Sequence, residues 1–131
     1  MILVRKWMVQ AEADLCAAKD SCDSKHYNWS CFQAQQSAEK ALKAYLYSKG
    51  YTSVITHSIK ELLRECEKIE KKFKDLKSDA ILLDTFYIST RYPNGLGGEL
   101  APSEYYEKED AQKCLNSAES ILNNVRKFSK I

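Results

Sequence analysis

Apolar residues recur along this chain at the three- and four-residue steps of amphipathic helices. Val4, Met8, Ala11, Leu15, Ala18 and Cys22 form one seam, widened by Trp7, and predict a helix over about residues 3–23. The polar break Asp23-Ser24-Lys25 ends it. A second helix follows to Lys49, with Cys31, Ala34, Ala38, Ala41, Leu42 and Tyr45 on its packing face and Gly50 placed for the left-handed turn that stops helices. Thr56 is a good N-cap and Ser58 with Glu61 forms a capping box, so a third helix starts near residue 57 and buries Ile59, Leu62, Leu63, Cys66 and Ile69. Leu76, Ala80, Leu83 and Tyr87, joined by Leu82 and Phe86, predict a fourth helix that stops before Pro93, because the residue preceding proline is driven out of helical geometry. The last helix runs from about Glu107 to Phe128 and buries Ala111, Cys114, Leu115, Ala118, Ile121, Leu122 and Val125. It carries acids in its first turn and Arg126 and Lys127 in its last.

No segment alternates like a strand and no unit repeats, so the pattern predicts an all-α, up-and-down bundle. Its one long connection lies between Arg91 and Ser103, which contains both prolines and three of the four glycines. A loop of that length in a small bundle is more often functional than idle.

Size and charge narrow the function. The 131 residues make a single domain, 1–131, able to bury a core without metal or disulfide. Five cysteines, an odd number with no Cys-x-x-Cys pair, read as small buried apolar residues in a reducing compartment, and the cytoplasm is the expected location. No stretch has the length of a signal peptide core or a membrane span. The net charge is only +2, and the basic residues are spread along the chain among acids, which argues against a general phosphate-backbone binder but leaves room for a local pocket. The lysine-rich run Lys68 to Lys77 is nearly neutralised by Glu70 and Asp75 within it and by Glu67 and Asp79 at its flanks, and reads as a solvated helix end and turn.

Candidate chemistry gathers at three places. The second helix carries Gln36, Glu39, Lys40 and Lys43 as a polar stripe opposite its apolar face. Lys40 and Lys43 taken alone also fit solvated surface lysines. His57, at a helix start, is either a packing histidine or a hydrogen-bonding ring presented to a ligand. Arg91 followed by Tyr92 offers a guanidinium fork and an aromatic face to a phosphate and a base, or a charge that satisfies terminal helix carbonyls. Di-metal bundle spacing, His-Glu-x-x-His and Gly-x-Ser-x-Gly are absent, and Gly95-Leu96-Gly97-Gly98 lacks the Lys-Ser/Thr and the strand of a phosphate loop. No metal and no cofactor is expected.

Trp7, Ala11, Asp14 and Leu15, then the run Gln33 to Ala44, then His57-Ser58-Ile59 with Leu62-Leu63, then Thr90-Arg91-Tyr92-Pro93, and finally Asp110-Ala111 together resemble a HEPN domain, in order and over nearly the whole chain. The resemblance implies five helices, with an antiparallel four-helix core and an additional short helix. It also implies a homodimer and a nucleotide or RNA ligand. In prokaryotes it further implies a minimal nucleotidyltransferase as partner in a toxin-antitoxin-like pair. Many members are metal-independent ribonucleases with a histidine four to six residues beyond an arginine. Here neither Arg5, Arg64, Arg91 nor Arg126 has one, so no agent for that acid-base chemistry is evident and no catalytic residue is carried over. The expectation is a noncatalytic binding module whose groove is drawn from Gln36, Lys40, Lys43, His57, Arg91 and Tyr92. The alternatives are a ribonuclease using His57 with Arg91 and a purely structural interaction subunit.

Overall fold

In the computed structural model, which describes residues 1–129, the second helix sits at the centre rather than on the surface. This helix, α2 (Tyr27–Ser48), buries residues around most of its circumference. Its small side chains explain why. Ala34, Ala38 and Ala41 are wholly buried, as are Ala11 and Ala18 on α1 (Ile2–Asp23), so the two backbones approach closely. Buried hydroxyls then reach across, Ser30 Oγ donating to the Ala18 carbonyl at 2.7 Å and Ser37 Oγ to that of Ala11 at 2.6 Å. Each such bond contributes about 1 kcal/mol net. The pairing of 30 with 18 and 37 with 11 makes α1 and α2 antiparallel. Lys25, at φ 66, occupies the left-handed region in the tight turn between them.

The final helix, α6 (Lys108–Ser129), runs against α1, as the pairs Glu12–Arg126 and Lys19–Glu119 record. Between them in sequence come α3 (Ile59–Ile69), α4 (Lys77–Thr85) and a one-turn helix, α5 (Pro102–Tyr105). Asp79 on α4 accepts a hydrogen bond from Ser117 on α6, and Tyr106 donates to Ser89, so α4 is antiparallel to α6. Thus α1, α2, α4 and α6 alternate in direction as a four-helix core. α3 is the additional helix, reached by a segment that runs back along α2. The Gln35 side chain bonds the His57 carbonyl at 3.3 Å, and the Cys66 thiol lies 3.9 Å from that of Leu42, which sets α3 parallel to α2. No strand occurs among the described residues.

The seams of α1 and α6 are buried as the periodicity predicts. Three expectations change. Cys16 is exposed, because it follows Leu15 on the outer flank of α1; the other four cysteines are buried. Burial and a hydrogen bond with Cys31 hold the Cys114 thiol far above its ordinary pKa, the hydrogen bond being the larger cause, and burial does the same for Cys66. Ile69 is 42 % exposed, since the chain leaves α3 at Glu70. This end of the core is instead covered by Phe73, from a 3-10 turn, packed edge-on against Tyr45 and Phe128. The fourth helix also ends early, at Thr85, and residues 86–91 continue as turns. There Ser89, Thr90 and Arg91 side chains bond the carbonyls of Thr85, Phe86 and Tyr87, taking up acceptors that the helix end leaves open.

Candidate functional site

The start of α3 is built by three polar side chains. Ser58 is the N-cap, its Oγ accepting from the Glu61 amide at 3.2 Å, and the Thr56 hydroxyl bonds the Glu61 carboxylate. Asp84 on α4 completes the cap, accepting from the Ile59 amide at 2.7 Å, the Lys60 amide at 3.0 Å and the Ser58 hydroxyl at 3.1 Å. A carboxylate at the positive end of a helix, bonded to its free N–H groups, is stabilised by both effects. His57 stands just outside the helix on this fixed base. Its ring lies 5.7 Å from that of Tyr87 at an interplanar angle of 15°, and 60 % of its side chain is exposed. His57, Ser58, Asp84 and Tyr87 line a hollow of about 340 Å³.

Tyr87 also carries Arg91. The guanidinium carbon lies 4.9 Å from the Tyr87 ring centre, 4.2 Å from that of Phe32 on α2 and 4.9 Å from that of Tyr92. Nε and Nη2 donate to the Tyr87 carbonyl at 3.2 and 3.0 Å. These bonds fulfil the helix-end role expected of Arg91, and among the described residues they leave Nη1 of the guanidinium fork unused. Buried Asn28 of α2 pins this segment by donating to the Thr90 carbonyl at 3.1 Å. Tyr92 and Trp29 present half-exposed rings beside the stack.

The polar stripe on α2 divides. Lys40 bonds the Asp14 carboxylate of α1 and lies 3.5 Å from Gln36 Oε1, while Gln36 Nε2 donates to Gln35 at 2.8 Å. Both remain half-buried at the surface. Glu39 and Lys43 depart from the expected solvated row: each side chain is 5 % accessible, and they pair at 3.1 Å. Their burial follows from the central position of α2. Lys43 Nζ also lies 5.4 Å from the centre of the Trp7 ring, which stacks on Tyr47. Glu39 Oε2 is 3.4 Å from His57 Nδ1, whereas its Oε1 has no partner among the described residues.

Of the six sequence-derived residues, His57 and Arg91 therefore meet at Tyr87 with Tyr92 beside Arg91, Gln36 and Lys40 continue along α2, and Lys43 is buried against Glu39 and Trp7. Phe32, Tyr87 and Asp84 were not singled out for the site by sequence. Tyr87 reads in the sequence only as part of an apolar seam, Phe32 lies off the apolar face of α2 in line with Gln36 and Lys40, and the capping partner of Asp84 lies 25 residues away. Among the described residues no group of His, Cys, Asp and Glu is placed to hold a metal ion, and no helix is long and apolar enough to cross a membrane.

Comparison with known proteins agrees with this architecture. The family model of the HEPN domain matches residues 4–128. A protein of Methanocaldococcus jannaschii named "Putative toxin MJ1304" is 36% identical over 129 residues, spanning 92% of this chain and 84% of that protein. The crystal structure of TT1696 from Thermus thermophilus superimposes with a TM-score of 0.90 at 35% identity, covering 97% of this chain and 98% of that one. That of ST0689, an archaeal HEPN homologue, gives 0.80 at 38% identity over 98% and 99% of the two chains. With the family model spanning almost all of it and these relatives matching nearly end to end, the chain belongs to the HEPN domain family.

Proposed function

We propose that this chain is a noncatalytic HEPN module that binds a nucleotide phosphate or an RNA segment across the face formed by Gln36, Lys40, His57, Arg91 and Tyr92, with Lys43 supporting it from below. It acts as a homodimer and as the partner of a minimal nucleotidyltransferase in a toxin-antitoxin-like pair. The observation that carries the binding reading is the Arg91 stack. A guanidinium held over the paired rings of Phe32 and Tyr87, with donors to spare and half-exposed Tyr92 at its side, offers a phosphate contact next to a stacking surface. The toxin in the name of the archaeal relative supports the paired role. The lack of the family's arginine-histidine spacing supports a binding rather than a cleaving module.

Calorimetric titration of ATP and a short RNA into the wild type and a Lys40→Ala/Arg91→Ala variant tests this. The variant is expected to bind about 10- to 100-fold more weakly, as loss of charge-assisted hydrogen bonds implies. No binding by the wild type at millimolar ligand, or equal binding by both proteins, would remove the groove. One observation favours a second reading, a metal-independent ribonuclease: His57 and Arg91 both contact Tyr87. RNA cleavage that persists in EDTA and disappears in His57→Ala would establish it in place of the binding module.

A further inference from the structure

The face just described has a second end. Where α2 reaches Lys40, a hollow of about 400 Å³ opens between it and the first turns of α1, lined by Leu3, Lys6, Trp7, Gln10 and Lys40. Its floor is apolar and aromatic, and its rim carries two ammonium groups and an amide. Lys40 is already bonded to Asp14, but exposed Lys6 makes no ion pair among the described residues. An indole that already stacks on Tyr47 and carries the Lys43 ammonium, set beside the uncommitted cation of Lys6, repeats with different residues the aromatic-plus-cation chemistry of the Arg91 stack, which suits a base and a phosphate.

The two stations are joined by α2 itself. Phe32 under Arg91, then Gln36, then Lys40 at the hollow are each one turn further on and neighbours along the helix. The eight residue steps from Phe32 to Lys40 rise about 12 Å at ~1.5 Å per step. A stacked nucleic acid strand advances by ~3.4 Å per nucleotide, so that span corresponds to about three or four base steps. A mononucleotide engages one station and leaves the other empty. A single strand of four nucleotides reaches both.

We infer that the Trp7–Lys6 hollow is a second binding station, so that the ligand class of this face is a single-stranded oligonucleotide rather than a free nucleotide. The inference rests on the nucleotide-or-RNA reading of the Arg91 station and chooses between its two branches. Lys6 is the determinant of length preference here, and Arg91 the determinant of binding to any nucleotide. Exposed Lys6 also allows a test that leaves the core intact.

The experiment compares AMP with a tetra-adenylate RNA by calorimetry on four proteins: wild type, Lys6→Glu, Arg91→Ala and Lys74→Glu. The last makes the same charge change at an exposed position on the 3-10 turn after α3, outside both stations. The wild type is expected to bind the tetranucleotide at least about tenfold more tightly than AMP, the scale of one additional stacked base. Lys6→Glu should abolish that advantage while leaving AMP affinity unchanged within about twofold, Lys74→Glu should keep it, and Arg91→Ala should weaken both ligands. Equal affinity of the wild type for AMP and the tetranucleotide would overturn the second station while leaving the Arg91 reading intact. So would loss of the advantage in Lys74→Glu to the same extent as in Lys6→Glu, which would reduce the effect to net charge. Binding of neither ligand by the wild type would remove the Arg91 reading, and the second station with it.

Discussion

Glu39 is the residue at which the polar stripe of α2 changes meaning. From sequence it belongs with Gln36, Lys40 and Lys43 on a solvated row; in the structure its carboxylate and the Lys43 ammonium are both withdrawn from water and face each other at 3.1 Å. Desolvating two charges costs several kcal/mol, offset only while both partners stay in place. Removing one leaves the other stranded. In Glu39→Ala the Lys43 ammonium keeps the Trp7 ring, at 5.4 Å, as its one remaining partner among the described residues. A loss of about 3–5 kcal/mol in unfolding free energy is expected, against no more than about 1 kcal/mol for Lys113→Ala, which breaks the exposed pair with Glu109. Urea denaturation of the two variants checks this, and a Glu39→Leu/Lys43→Met double variant should recover most of the loss. Equal, small losses in Glu39→Ala and Lys113→Ala would show that the pair is solvated after all. The pair was not legible in the sequence because α2 has no single outer face, and the periodicity rule that separates apolar from polar positions presumes one.

At the scale of elements, helices with one buried stripe could be read almost residue by residue. The six seam positions of α1 are all buried, and Gly50, at φ 96, takes the left-handed turn beyond α2 that its position suggests. Elements fixed by partners distant in sequence could not be read that way. The capping box Ser58–Glu61 located the beginning of α3, yet Asp84 supplies the amide contacts that hold it, and no local pattern connects residues 84 and 59. Likewise α4 gives way to turns after Thr85, where side chains compete for its last carbonyls. The loop after Arg91 folds a further turn of helix at Pro102, where proline suits the first helical position. The long-range cap carries its own prediction. Asp84→Ala should lower stability by about 1–3 kcal/mol, since buried donors lose a charged acceptor, and should speed hydrogen exchange at the Ile59 and Lys60 amides above all others. His57 stands on the same base, so its ring resonances should shift as well. Unchanged exchange at those two amides would mean that Ser58 caps α3 unaided.

The whole molecule is organised around one element. α2 packs against α1, α3, α4, α5 and α6, and its Leu42 and Tyr45 are almost wholly buried in a cluster that also takes in Leu62, Leu83 and Ile121. With every helix leaning on the same centre, none has a separate core to retain when that centre loosens. A chain of this size is therefore expected to unfold in one cooperative step, with coincident midpoints by far-UV circular dichroism and by fluorescence of Trp7 and Trp29. Leu42→Ala, which leaves a cavity against several helices at once, should lower stability by about 2–5 kcal/mol without separating the two signals. The proposed homodimer adds a second dependence, because association favours the folded state by mass action, so the midpoint should rise as protein concentration is raised. The two results are independent. Probe-dependent midpoints would disprove the shared centre, whereas coincident midpoints that do not move with concentration would preserve it and show that the domain folds and persists as a monomer. In the second case both stations along α2 would have to be completed by one copy alone. The length dependence of RNA binding, followed over the same concentration range, would then stay constant, while a dimer that contributes to the face would make it vary with protein concentration.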